Sequence, residues 1–153
     1  MNQIMRKYSY SLISLFLLNS YVFGQTKQDS IEIKKIALDY IESQHNPDPN
    51  RMANALHPRM VKRTFWKDKG TGKDYIRETT TESMILLAES YNKNHDKFPS
   101  NPKKEVIMLD ISERTASVKL IADEWIDYMH IVKINNYWKI VNILWQYKDT
   151  KQH

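Results

Sequence analysis

Hydrophobic positions along this chain change rhythm once, from the spacing of helices to the alternation of strands. Ile33, Ile36, Ala37, Tyr40 and Ile41 recur on one helical face of "DSIEIKKIALDYIESQ", and Asp29 with Glu32 three residues on has the form of a capping box. "HNPDPN" ends that helix, because two prolines cannot continue it. Asp48 and Pro49 then start a short helix through Met52, Ala55 and Leu56, in the order of an N-cap and a first-turn proline. "MVKRTFW" alternates and predicts a short strand, "KDKGTGKD" a turn and "YIRE" the partner strand. Thr79 and Glu82 make a second capping box, and the helix after it sets Met84, Leu87, Ala88 and Tyr91 on one face. "KFPSNPKK" breaks it into a loop.

From Glu105 onward the period is two. "EVIMLDIS", "TASVKLIAD", "WIDYMHIVKI" and "YWKIVNILWQYK" read as four strands with short connections, hence an antiparallel meander. Asn135-Asn136 suits a two-residue hairpin turn, since asparagine tolerates the left-handed backbone that such turns require. Helices followed by a block of strands argue for an α+β fold, with helices on one face of a curved sheet. If the last hairpin stays regular from its turn, Met129 faces Asn142 and Asp127 faces Leu144. Trp125, Asp127, Met129, Ile131, Trp138, Ile140, Asn142 and Leu144 then share one face. The other collects Ile126, Tyr128, His130, Val132, Lys139, Val141, Ile143, Trp145 and Tyr147.

The N-terminus follows a different pattern. Arg6 and Lys7 precede the apolar run "SLISLFLLNSYVFG", with Val22 and Gly24 where a signal peptidase reads small residues. The run is short of the roughly 20 residues that span a bilayer and is interrupted by Asn19 and Ser20. The expectation is a signal peptide over residues 1–24 and a single domain over 25–153, exported to the periplasm or the medium, with no stable membrane anchor after cleavage. No cysteine occurs, which removes both a lipid-anchored lipoprotein and disulfides, so stability rests on the core or on oligomerisation. The formal charge of +5 falls to +3 without Arg6 and Lys7. Lys62, Arg63, Lys67 and Lys69 form the densest basic cluster and read as a solvated face, so no nucleic-acid partner is expected.

"RMANALHPRMVKR", "VIMLDI" and "TASVKLIADEWIDYMHIVKINNYWKIVNILW" together resemble the family described as Putative lumazine-binding. That family lies within the nuclear transport factor 2-like superfamily, with SnoaL-like proteins, ketosteroid isomerase and scytalone dehydratase. The resemblance implies a cone: three N-terminal helices packed on a strongly bent antiparallel sheet, with a pocket inside. Asn136 and the turn Ser112-Glu113-Arg114 stand where the family commonly has glycine.

Asp127 is the main candidate for chemistry, as a polar group among apolar walls that raise its pKa. It reads either as a general base or as the structural partner of Asn142, an arginine or a backbone amide. His57, opening "HPRM", is a candidate assistant if its loop closes over the pocket, and otherwise a polar group at a helix end. Tyr40, Trp66, Trp125, Asp127, Met129, Asn142 and Leu144 are the candidate ligand-binding residues, with the aromatics offering faces to a flat ligand. No pair of histidines has metal-ligand spacing, and no phosphate-binding or dinucleotide fingerprint is present, so neither metal nor cofactor is expected. Three readings follow. The first is an exported protein binding a small molecule in the cone, and it does not require catalysis. The second is an isomerase, dehydratase or cyclase moving a proton with Asp127. The third is an interaction module whose cone is filled by its own side chains. A homodimer is expected through the face bearing Tyr128, His130, Val141, Ile143 and Trp145.

Overall fold

The computed structural model describes residues 27–152, and the expected signal peptide lies outside them. The chain divides into two compact units, Met1–Glu32 and Ile33–His153. Of the first, the described part is the helical run 27–32. All that follows concerns the second.

Among the described residues, three α-helices, six strands and a short 3-10 helix, Thr150–Gln152, make up its elements. Its first helix, α1, runs to residue 45; residues 27–32 are already helical, so Asp29 lies inside a helix and not at its cap. Helix α2, Pro49–Ala55, begins as expected: the Asp48 side chain accepts from the Arg51 amide at 2.9 Å, with proline in the first turn. Helix α3, Thr81–Ser90, is capped by Thr80, one residue later than the capping box suggested. Strands β1 (Leu56–Lys67) and β2 (Asp74–Thr80) form a hairpin. Strands β3 (Lys104–Ile111), β4 (Thr115–Ala122), β5 (Trp125–Ile134) and β6 (Tyr137–Tyr147) form the expected meander. The six make one sheet in the order β2-β1-β6-β5-β4-β3.

One pairing departs from an all-antiparallel sheet: β1 lies parallel to β6. Lys139, near the start of β6, donates from Nζ to the Asn54 carbonyl at the end of α2. The chain therefore leaves α2 beside the start of β6, and the two strands run the same way. Strand β1 also begins earlier than its alternation indicated, taking in His57 and Pro58. Proline lacks an amide to donate, and it falls in the irregular part of β1, before the registered pairing with β2 begins at Val61.

The last hairpin holds the main correction. Asn135 and Asn136 have φ of 50° and 66°, the left-handed pair the turn requires, and Ile134 faces Tyr137 as expected. Pairing stays regular to Ile131–Ile140 and then slips: His130 faces Asn142, Met129 faces Ile143, and Asp127 faces Trp145. Val141 is the extra residue of a β-bulge. Because side chains alternate, one inserted residue exchanges the faces of everything beyond it. Ile143 turns into the core and Trp145 packs against it, whereas Asn142 and Leu144 turn out, Leu144 to 53% exposure.

The core lies between the helices and the inner sheet face. Ile33, Ala37 and Tyr40 of α1, Met52 of α2 and Met84 of α3 pack there with Val118, Leu120, Met129, Ile131, Trp138, Ile140 and Ile143 of the sheet. The hydroxyl of Thr81 donates to the His57 carbonyl at 2.8 Å and ties α3 to β1.

Candidate functional site

At one end of that core a cavity of about 230 Å³ remains open between α1, α3 and the inner face of β1, β2, β5 and β6. Its position follows from alternation in β1. Met60, Lys62, Thr64 and Trp66 share the inner face, and Met60 and Thr64 are buried beneath the helices. Lys62 follows the same parity and is carried inward to 9% exposure.

Lys62 Nζ donates to the Tyr40 hydroxyl at 2.7 Å and lies 3.2 Å from Asp127 Oδ1. It also sits 4.7 Å from the centre of the Trp145 ring, within cation–π range. Asp127 is 1% exposed, and its Oδ1, although ion-paired, accepts no hydrogen bond among the described residues. Burial works against the Lys62 ammonium, but the Asp127 carboxylate and the Tyr40 oxygen outweigh it and hold its pKa above the ordinary lysine range. Burial pushes Asp127 up, and Lys62 opposes that shift. Burial and then the Asp127 charge push the Tyr40 phenol up to about 12, against the pull of Lys62. Lys62 therefore keeps its proton.

Aromatic rings complete the walls. Phe98 meets Trp125 at 5.7 Å, Trp125 meets Tyr147 at 6.0 Å, and Tyr147 meets Trp145 at 5.2 Å, all tilted or edge-on. Tyr91, at the end of α3, packs edge-on against Phe98. The loop carrying Phe98 is held by Asn92, which donates to the His45 carbonyl at 2.6 Å and accepts from the Lys97 amide. The buried His45 ring lies 4.3 Å from Phe98. Beside Trp66, Arg77 of β2 stacks its guanidinium 4.8 Å from the indole centre.

The structure brings Tyr40, Trp66, Trp125 and Asp127 together on this cavity. Met129 shares their sheet face but is fully buried in the core. Asn142 and Leu144 do not reach the cavity, because of the Val141 bulge; Asn142 instead accepts from Arg63 Nη1 at 2.9 Å on the outer face. His57 does not line the cavity either. Its Nδ1 accepts from the Arg59 amide at 3.1 Å, and its carbonyl holds Thr81. The outer face expected to pair subunits also changes, since Ile143 and Trp145 belong to the interior. Lys62 and Arg77 are cavity residues that sequence reasoning missed. Lys62 reads in sequence as part of a solvated basic cluster, although the parity of Met60, Lys62, Thr64 and Trp66 carries the signal; Arg77 has no such signal of its own. Among the described residues no cluster of side chains suited to a metal occurs, and no helix is long and apolar enough to cross a membrane.

The family described as Putative lumazine-binding matches residues 19–146, and the chain belongs to that family. No curated protein matches it. Solved structures share its fold. A nuclear transport factor 2-like protein from Silicibacter pomeroyi superposes with a TM-score of 0.62 at 10% identity, covering 80% of this chain and 98% of its own. A nuclear transport factor 2-like protein with a cystatin-like fold from Novosphingobium aromaticivorans gives 0.60 at 12% identity, covering 87% and 90%. A protein of the same organism named Putative Scytalone Dehydratase gives 0.52 at 12% identity, covering 82% and 88%. The fold is thus nuclear transport factor 2-like, three helices on a curled six-stranded sheet.

Proposed function

We propose that the protein binds a small, flat, partly polar molecule in the cavity, without need of catalysis. The observation that carries this reading is the Lys62–Tyr40–Asp127 cluster set beneath aromatic walls. Apolar walls with a few fixed polar groups are the usual lining of a small-molecule site. At about 230 Å³ the space falls below the roughly 300–1,000 Å³ of drug-sized pockets, so the ligand is small. Lys62 holds Asp127 in a buried ion pair, so the carboxylate is already engaged before any substrate arrives. That favours binding over the proton-transfer alternative, and an unfilled cavity speaks against a cone packed with its own side chains. The same reading includes export, supported by the order of residues 1–24, and association through the outer face around Tyr128 and Leu144, both exposed.

The deciding experiment compares small molecules released on denaturation from wild type and from the double variant Lys62→Met/Asp127→Leu, by untargeted mass spectrometry. A species carried by the wild type in near-stoichiometric amount and absent from the folded variant is expected. Equal recovery from both would reject the cavity as the site.

A further inference from the structure

The cavity carries an uneven charge. Asp127 is the one acid in its lining, and Lys62 already holds it. Arg77 lines the same space, and among the described residues it forms no ion pair; its guanidinium carbon lies 4.8 Å from the centre of the Trp66 ring. The register explains why it points there. Arg77 pairs with Thr64, an inner-face position of β1, and is flanked on β2 by Thr79, which also lines the cavity opposite Lys62. Glu78 between them points outward to Arg63, at 2.6 Å, so the acid nearest in sequence is engaged on the other face of the sheet.

We infer that the ligand is an aromatic or heteroaromatic monoanion whose acid group meets Arg77 while its ring lies among the tryptophans. This rests on the proposed binding function and specifies the ligand's chemical class. The lining holds two cations and one anion, so a neutral ligand leaves one positive charge unanswered and a monoanion balances it. Arg77 lies over the Trp66 ring and forms no ion pair among the described residues, and a guanidinium so placed suits a carboxylate through paired hydrogen bonds. Arg77 is exposed and Asp127 is buried, so the acid group sits at the mouth and the ring enters first.

The test uses matched flat probes that differ in one charge: lumazine against lumazine-6-carboxylate, and naphthalene-2-carboxamide against naphthalene-2-carboxylate. Affinities come from ligand or tryptophan fluorescence in low salt. The carboxylates are expected to bind about tenfold tighter than their neutral partners, with the gap narrowing in high salt. Arg77→Gln should reduce the gap to within about twofold, and Arg77→Lys should restore most of it. Equal binding of charged and neutral probes by wild type would overturn this inference and leave the binding function standing. A preference that survives Arg77→Gln would overturn it as well. Failure of all four probes to bind would remove the proposed function, and this inference with it.

Discussion

Lys62 and Asp127 meet across a strand that belongs to neither. Strand β6 lies between β1 and β5, and the ammonium and carboxylate close to 3.2 Å over the indole of Trp145, which faces Asp127 from that middle strand. Three strands must therefore be in register for one contact. Removing a single partner leaves the other charge buried and uncompensated, which costs about 3–5 kcal/mol. Asp127→Asn should lower stability by that order in urea titrations. Lys62→Met/Asp127→Leu removes both charges and should match the wild type or exceed it by about 1–4 kcal/mol. A double variant as unstable as the single one would mean that packing, not charge, dominates here.

The same cluster sets an alkaline limit. Tyr40 and Lys62 both keep their protons more tightly in the folded chain than in the unfolded one. Their contribution is complete below about pH 10, where the unfolded groups begin to ionise, and is lost as pH climbs through the raised folded values. Stability should thus fall between about pH 10 and 12, with tyrosinate absorbance showing the Tyr40 phenol ionising only as the protein unfolds. Tyr40→Phe should abolish that late phenol. If all tyrosines of the folded wild type ionise near pH 10, the buried cluster is not as described.

Deleting Val141 tests the bulge directly. Without the extra residue β6 pairs straight with β5 and the partners beyond Ile140 are unchanged: Asn142 still faces His130 and Ile143 still faces Met129. Ile143 and Trp145 therefore stay inward, and the deletion variant is expected to fold with a native circular dichroism spectrum. A deletion variant that unfolds would mean that the bulge itself is required to shape the strand. Val141→Ala keeps the residue count and should stay folded with native tryptophan fluorescence.

His57 provides a negative control. Its ring bonds locally to the Arg59 amide and does not line the cavity. His57→Gln should leave the affinity for any cavity ligand within about twofold, since the substitution is remote from the site. A tenfold change would restore His57 to the site.

Elements with strong local signals were legible in the sequence: the Asp48-Pro49 start of α2, the four-strand meander, and the asparagine pair whose left-handed backbone the structure retains. What escaped was set by relations between strands. Nothing in "YWKIVNILW" marks Val141 as surplus, because a bulge inserts a residue without disturbing the apolar alternation on either side. A tryptophan suits both faces, so Trp145 gave no warning of the exchange. Lys62 was legible by parity, yet its charge argued for solvent. Its burial is made tolerable by partners distant in sequence, Asp127 on another strand and Tyr40 on a helix. The parallel β1–β6 pairing has no local signature at all.

That pairing has a consequence for how the molecule is made. Strand β1 is synthesised early, but its neighbour in the sheet arrives last; Arg63 and Asn142, bonded across the seam, lie 79 residues apart. Until β6 emerges from the ribosome, the hairpin of β1 and β2 has no neighbour beside β1, Lys62 has no Trp145 beside it, and the meander lacks its last member. Folding of the sheet then waits for β6, and the long separation makes it slow for a domain of this size. A nascent chain halted before Tyr137 would display an unpaired strand and a buried-to-be lysine together, a species suited to capture by chaperones.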